Sequence, residues 1–370
     1  MGCEKLKVAI IGAGLSGLSC AYEFKKNGII PTVFERKRRI GEDVDFTTTT
    51  LKLFDRTYKD PLVYLKDKYD IELKPLNELT KIIMQAPKEQ TFIENTKGHI
   101  FCRGDSEHSL ENQLLKIADV PITYYKQIYI DDIKKDFDYI IDATGALEVV
   151  KQFGVFTTQL IAYARISVIS GSFEPDTIKM WLNTEYAKNC FAFQLPHSDN
   201  KACLALTVND ITHSELDYYW EKFITQEKIT NTIIKTTDIF HEAGAVYPHK
   251  VDNIYFVGKA GGFLGSVLGF GMINGIETGV LAARAIIHDL DYEELVSPIS
   301  DYVLKKYNYR KVLNTLNNDD FDKAVKTLGL PVIKKFVYNN PIAKIAQGSF
   351  IAKAYSALRN NYEENKYPPT

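Results

Sequence analysis

The segment KVAIIGAGLSGLSCAYEFKKNGIIPTVFE, Lys7 to Glu35, constrains the fold more tightly than any other part of the chain. An apolar run, Val8 to Ile11, leads into Gly12, Gly14 and Gly17 at G-x-G-x-x-G spacing. A helix-period stretch follows, and a second apolar run ends on Glu35. Each part of this strand–turn–helix–strand order has a physical task. Gly12 allows the tight turn, Gly14 lets backbone approach a pyrophosphate, and Gly17 lets the helix pack closely on the strand. Ala13, Leu15 and Ser16 fill the turn, where free backbone N–H groups and the positive end of the helix favour an anion. Glu35, 21 residues beyond Gly14, stands where an acid accepts hydrogen bonds from adenosine ribose hydroxyls. The basic run Arg36 to Arg39 follows at once. An arginine there, Arg36 first, can stack on adenine or touch phosphate, although such a run is also an ordinary solvated loop. The segment predicts a unit that binds an adenine dinucleotide; the plain alternative is a glycine turn in a nucleotide-free α/β domain.

At 370 residues the chain is long enough for two domains. Its 45 Lys and Arg against 47 Asp and Glu give no basic excess, so nucleic acid is not an expected partner. The 22 Tyr and 20 Phe can wall an apolar pocket, although core packing accounts for most of them. Cys3, Cys20, Cys102, Cys190 and Cys203 are scattered, without a C-x-x-C pair or a nearby histidine cluster, so no metal is expected and the thiols read as reduced. The first strand begins within about six residues of Met1 with no apolar leader before it, which predicts a cytoplasmic location. Gly261 to Ile287 is apolar, but Glu277 and Arg284 interrupt it, and it reads as a loop plus a buried helix.

After the basic run, the connection through FTTTT reads as polar loop, and a helix is expected over Asp60–Tyr69. Lys81–Gln85, Gln90–Glu94 and His99–Arg103 read as three strands of a small antiparallel excursion, and Ser106 as the cap of a helix in SEHSLENQLLKIA. Ile122–Ile130 and Tyr139–Ala143 read as strands returning to the dinucleotide-binding domain. The second of these runs into Thr144 and Gly145, a small turn at the carboxyl edge of a parallel sheet. Four long strands follow in QLIAYARISVISG, TIKMWLN, NCFAFQLP and KACLALTV, which predict a separate antiparallel sheet, and then a helix over Ser214–Thr225. A third signal lies in IYFVGKAGGFLGSVLGFGMINGIETGVLAARAII: a strand into Gly258, a glycine-rich turn, and a helix starting near Gly271 whose free N–H groups face an anionic atom. The stretches ISDYVLKKYNYRKVLNTL and NPIAKIAQGSFIAKAYSALRNNY read as amphipathic helices that dock on the rest or lie on a membrane surface, and the tail NKYPPT as disordered.

These three signals, in this order, resemble the flavoprotein superfamily of p-hydroxybenzoate hydroxylase, and within it the geranylgeranyl reductase branch, over about residues 5 to 290. The resemblance implies an α/β fold: a Rossmann-like FAD-binding domain with an inserted antiparallel-sheet substrate domain and a C-terminal helical extension. The implied division is 1–80, 100–155 and 240–290 for the FAD domain, 81–99 and 156–239 for the substrate domain, and 291–370 for the helical region. Carried over by residue, Gly12, Gly14, Gly17 and Glu35 match the first motif, and Arg103 matches an arginine that reaches the cofactor. Ile128 falls where backbone contacts adenine, Gly258 matches the second fingerprint, and Gly269, Gly271 and Met272 match the turn facing flavin N1 and O2. FAFQLP resembles the aromatic strand of the substrate domain. Lys259 departs from the pattern, standing where the family has aspartate, so that a cation comes near the pyrophosphate. Ser266 replaces a proline, and Phe191 and Phe193 replace the Tyr and Trp of reductases and the paired Trp of halogenases.

The implied function is an FAD-dependent oxidoreductase that reduces C=C bonds of an isoprenoid or other apolar lipid. The alternatives are a flavin monooxygenase or halogenase and a non-catalytic FAD-binding protein. No second G-x-G-x-x-G unit is present, so electrons come from an external donor, NAD(P)H bound transiently or a redox protein. No catalytic residue is identifiable. His197 reads as an exposed turn residue, and His241 and His249, which flank GAVYP, carry little weight as catalysts.

Overall fold

A computed structural model of the chain describes residues 6–42, 45–51, 60–267, 269 and 271–339. Two sheets organise it. With strands numbered in chain order, the first sheet runs β13 (Lys250–Val251), β14 (Ile254–Phe256), β7 (Tyr139–Asp142), β1 (Val8–Ile11), β2 (Thr32–Phe34), β6 (Ile122–Thr123). All of its pairs are parallel except the β13 edge. The alternation of β1 splits its side chains between two cores. Val8 and Ile10 pack with helices Leu15–Lys26, Leu110–Ala118 and Met272–Ile287, while Ala9 and Ile11 pack with Ile140, Val150 and Phe256 on the other face.

The second sheet has eight strands in the order β12 (Thr232–Val246), β8 (Phe156–Ser170), β11 (Lys201–Asn209), β10 (Ala192–Pro196), β9 (Thr177–Trp181), β4 (Asn77–Gln85), β5 (Gln90–Gly104), β3 (Asp45–Leu51). Its pairs are antiparallel except β4 with β9. One face is closed by helix Leu216–Gln226, whose Leu216, Trp220 and Phe223 pack on Ile169, Trp181, Leu204, Leu206 and Val208. Each such fully buried side chain contributes about 1.5–3 kcal/mol. The other face of this sheet is the one that matters for the site.

Several elements differ from the sequence expectation. Asp45–Leu51 is a strand, because its threonines are β-branched and satisfy their hydroxyls within the sheet: Thr47 Oγ1 donates to Leu195 O at 2.9 Å, and Thr49 Oγ1 to His99 O at 2.9 Å. Residues 90–104 form one continuous strand, not two, and it belongs to the same sheet as 156–246. That sheet therefore also draws in 45–51, 77–80, 100–104 and 240–246, which the division at residues 80, 100 and 240 leaves with the dinucleotide domain. The strand expected over Ile122–Ile130 stops at Thr123, and a helical turn over Ile130–Ile133 follows. Ser109, not Ser106, caps its helix, accepting from Asn112 N at 3.2 Å. Strand Thr232–Val246 is absent from the sequence reading.

The C-terminal helices Tyr292–Leu313 and Asn318–Leu328 dock on the body: Val296 and Ile299 join the first core, and Phe321 and Val325 pack with Ala86. The stretch from 340 onward lies outside the described residues. Among those residues no helix is long and apolar enough to cross a membrane.

Candidate functional site

The carboxyl ends of β1, β7 and β14 open onto one cavity of about 510 Å³, whose far wall is the uncovered face of the second sheet. The two linings differ in kind. On the first-sheet side lie Gly14, Leu15 and Ser16, then Thr144 and Gly145, then Gly258 and Lys259, and finally Gly269, Gly271 and Met272. On the other side, strand alternation sends Leu160, Ala164 and Ile166 of β8, Ile178 and Met180 of β9, and Leu195 of β10 inward, with Phe191 just before β10 and Phe193 within it. The rings of Phe191 and Phe193 lie 6.1 Å apart.

Close packing fixes the polar wall. A side chain at Gly12, whose φ is +101°, would meet Ala143 O, and one at Gly17 would overlap Gly12 O. Gly258, at φ +58°, sits against Ser16 and Gly275 and donates its N–H to Thr278 Oγ1 at 3.0 Å. Gly14 and Gly145 are the opposite case: nothing lies within 4 Å of where a Cβ would project, so each leaves room. Two helices present uncapped N-termini. Gly14 begins Leu15–Lys26 and Gly271 begins Met272–Ile287, neither with a side-chain cap. The turn before the second is held by Asn274, which donates to Phe263 O at 3.1 Å.

Glu35 accepts from the backbone N–H of Ala13 at 2.9 Å and of Lys37 at 3.0 Å, tying the second strand to the glycine turn. Arg103 lines the cavity, its Nε donating to buried Glu111 at 2.6 Å and its guanidinium lying 5.8 Å from the Phe46 ring. Glu111 also accepts from Gly104 N at 3.2 Å.

Of the residues expected at the site, Gly14, Leu15, Ser16, Arg103, Thr144, Gly145, Gly258, Lys259, Gly269, Gly271 and Met272 are brought to this one cavity. Gly12, Ala13 and Gly17 support it from beneath, and Glu35 sits beside it. Arg36 is exposed, and Ile128 packs with the core behind the first sheet; neither lines the cavity. Phe46–Leu51, Met180, Thr207 and Tyr302 line it without having been expected. The β-branched run at 47–50 was the available signal for the first of these; Tyr302 comes from the C-terminal helix and has no local signal. His241, given little weight, lines the cavity beside Gly269, and burial, with Lys259 nearby, pulls its pKa down to about 4. His249 is structural: its Nδ1 pairs with Glu293 at 2.7 Å and its ring stacks on Phe263. His197 is half-buried and not an exposed turn residue, and burial pulls its pKa down. Among the described residues no cluster of metal-ligating side chains occurs.

The donor set suits FAD. The uncapped N-terminus of Leu15–Lys26 and the open space at Gly14 and Gly145 form a cradle for a diphosphate, and the uncapped N-terminus of Met272–Ile287, at Gly271, offers N–H groups at the other end. Residues 10–57 match the NAD(P)-binding Rossmann-like domain family. The whole fold recurs in solved structures. A geranylgeranyl bacteriochlorophyll reductase-like protein from Thermoplasma acidophilum matches with TM-score 0.71 at 16% identity, over 93% of this chain and 99% of that one. PqsL, a probable FAD-dependent monooxygenase from Pseudomonas aeruginosa, matches with TM-score 0.63 at 13% identity, over 87% and 99%. CmlS, a flavin-dependent halogenase, matches with TM-score 0.59 at 14% identity, over 97% and 79%. At these identities the likeness is one of fold, and the chain has the two-sheet flavoprotein fold that these reductase-like, monooxygenase and halogenase proteins share.

Proposed function

We propose that this protein is an FAD-dependent oxidoreductase that reduces C=C bonds of an isoprenoid or similarly apolar substrate, with electrons from an external donor, NAD(P)H or a redox protein. The observation that carries this reading is the pairing of linings in one cavity: a glycine and helix-terminus wall faces a wall made of Ile166, Ile178, Met180, Phe191, Phe193 and Leu195. Bound FAD would supply hydride at N5. The N-terminus of Met272–Ile287 favours negative charge on the nearby ring atoms. The aliphatic and aromatic wall excludes water and orients a substrate by shape rather than by hydrogen bonds. The geranylgeranyl reductase-like neighbour supports this class of substrate. The monooxygenase and halogenase neighbours support the second reading, oxygen chemistry on the same fold.

The test is the absorption spectrum of the purified protein with added FAD, followed by anaerobic reduction and exposure to polyprenyl lipid or to air. Flavin uptake, slow re-oxidation in air and fast re-oxidation by the lipid support the reductase. Fast re-oxidation by air alone moves the function to oxygen chemistry. Uptake of FAD without turnover by either leaves a binding protein, and failure to take up FAD overturns the flavoprotein reading.

A further inference from the structure

Lys259 is a cation on the polar wall of the cavity, with no part in the chemistry proposed for it. Its side chain lines the cavity half-buried, and it makes no ion pair or hydrogen bond with the described residues. The carboxylate that bears most on it, buried Glu242, is already matched, accepting from Lys151 Nζ at 2.6 Å and from Thr158 Oγ1 at 3.0 Å. Among the cavity-lining groups it acts on His241, whose lowered pKa of about 4 leaves it neutral at pH 7. Burial pulls the Lys259 ammonium below its ordinary pKa, with Glu242 and Glu148 opposing that from a distance. An unpaired ammonium therefore stands in a space that has no carboxylate among the described residues of its lining and onto which the uncapped, electropositive N-termini of Leu15–Lys26 and Met272–Ile287 open. Such an arrangement costs the ligand-free protein stability and is relieved by an anion.

Resting on the FAD reading, we propose that Lys259 is the counter-ion of the cofactor, neutralising negative charge that FAD brings into the cavity. The charge has two sources, the diphosphate and the ring on reduction. Lys259 follows Gly258, which touches Ser16 of the fingerprint helix, and lines the same cavity as His241 and Gly269 of the other turn.

The experiment compares wild type with Lys259→Met, Lys259→Asp and Lys259→Arg, measuring FAD dissociation constants for oxidised and reduced cofactor, midpoint potential, and thermal midpoint without FAD. Lys259→Met weakens FAD binding about tenfold, Lys259→Asp weakens it further, and Lys259→Arg retains most of the affinity. At the same time Lys259→Met raises the thermal midpoint of the FAD-free protein, because an uncompensated charge is gone. Equal loss for both redox forms, with unchanged potential, assigns the charge to the diphosphate. Greater loss for the reduced form assigns it to the ring, and each tenfold difference appears as about 30 mV more negative potential. Wild-type affinity in the Met and Asp variants overturns the proposal while leaving FAD binding intact, as does a Met variant that loses stability along with affinity, which marks a structural lysine. A wild type that takes up no FAD removes the cofactor reading itself, and this proposal with it.

Discussion

Gly14 and Gly17 stand three positions apart in one motif and answer to different demands. A methyl at Gly17 overlaps the carbonyl of Gly12, so Gly17→Ala forces the helix off its strand and destabilises the fold. A methyl at Gly14 meets nothing within 4 Å, and the φ there, −79°, suits alanine. Gly14→Ala therefore leaves the thermal midpoint of the FAD-free protein near wild type while weakening FAD binding about tenfold or more, because the methyl occupies the cradle. Thermal melts and FAD titrations of the two variants check this; equal destabilisation in both removes the cradle argument. Asp142 makes a pH prediction of the same local kind. It is fully buried, Thr144 N and Oγ1 donate to its Oδ1 at 3.1 and 2.6 Å, and its Oδ2 has no partner, so burial lifts its pKa from 3.8 to about 6. A carboxyl raised in the folded state stabilises fully below about pH 3.8 and loses that contribution as pH rises toward 6, on the order of 3 kcal/mol in total. His241 works in the opposite sense: its neutral form is favoured, so its contribution is complete above pH 6.5 and is lost as pH falls toward 4. The two cancel in part in wild type, and a difference experiment separates them. Asp142→Asn keeps the acceptor for Thr144, so its thermal midpoint relative to wild type should rise between pH 4 and 6 and stay level above; parallel curves count against the raised pKa.

Elements built from contiguous signals were legible in the sequence. The first strand, glycine turn and helix fall where the motif puts them, at Val8–Ile11 and Leu15–Lys26, since hydrophobic period and turn chemistry agree within thirty residues. Helix Met272–Ile287 was legible for the same reason. Strand Thr232–Val246 was not. It lies at the edge of its sheet, where Ile233, Ile234 and Phe240 are exposed, and its pairing slips between Ile233 and Lys235 and between Ala243 and Gly244, so no clean alternation survives in TIIKTTDIFHEAGAV. Strand Gln90–Gly104 was split because Asn95, Thr96, Lys97 and Gly98 have turn composition. Its partner strand carries a register shift between Leu79 and Lys81 nearby, a feature of three-dimensional pairing that the one-dimensional pattern does not encode. The polar half of the site was legible because each piece is a short motif. Of the apolar half only the FAFQLP strand was, since the rest is made of alternate residues from separate strands and becomes a surface only when register is known.

At the scale of the whole molecule, the cavity is the seam where both sheets meet, and the C-terminal helix adds Tyr302 to it. The sheets also share a core, since Phe156 and Val246, which face each other at one end of the β8–β12 ladder, pack against the first sheet beside Ile11 and Phe256. A ligand that fills the cavity therefore binds a state in which both layers are formed, and linkage transmits its binding energy to both. At one hundred times its dissociation constant, FAD adds about 2.7 kcal/mol to the stability of any unit that must be folded to bind it. The chain's two tryptophans, Trp181 and Trp220, both lie on the helix-covered face of the eight-stranded sheet, so their fluorescence reports on the layer away from the dinucleotide motif. Far-ultraviolet circular dichroism reports on both layers. If the layers unfold as one unit, saturating FAD raises the fluorescence and dichroism transitions by the same amount, and the two curves stay superimposed. A dichroism transition that moves while the tryptophan transition stays in place shows instead that the second sheet melts without regard to the cofactor. In that case the apolar wall is open in the FAD-bound protein at temperatures where the polar wall is still closed, and its residues do not take part in holding FAD.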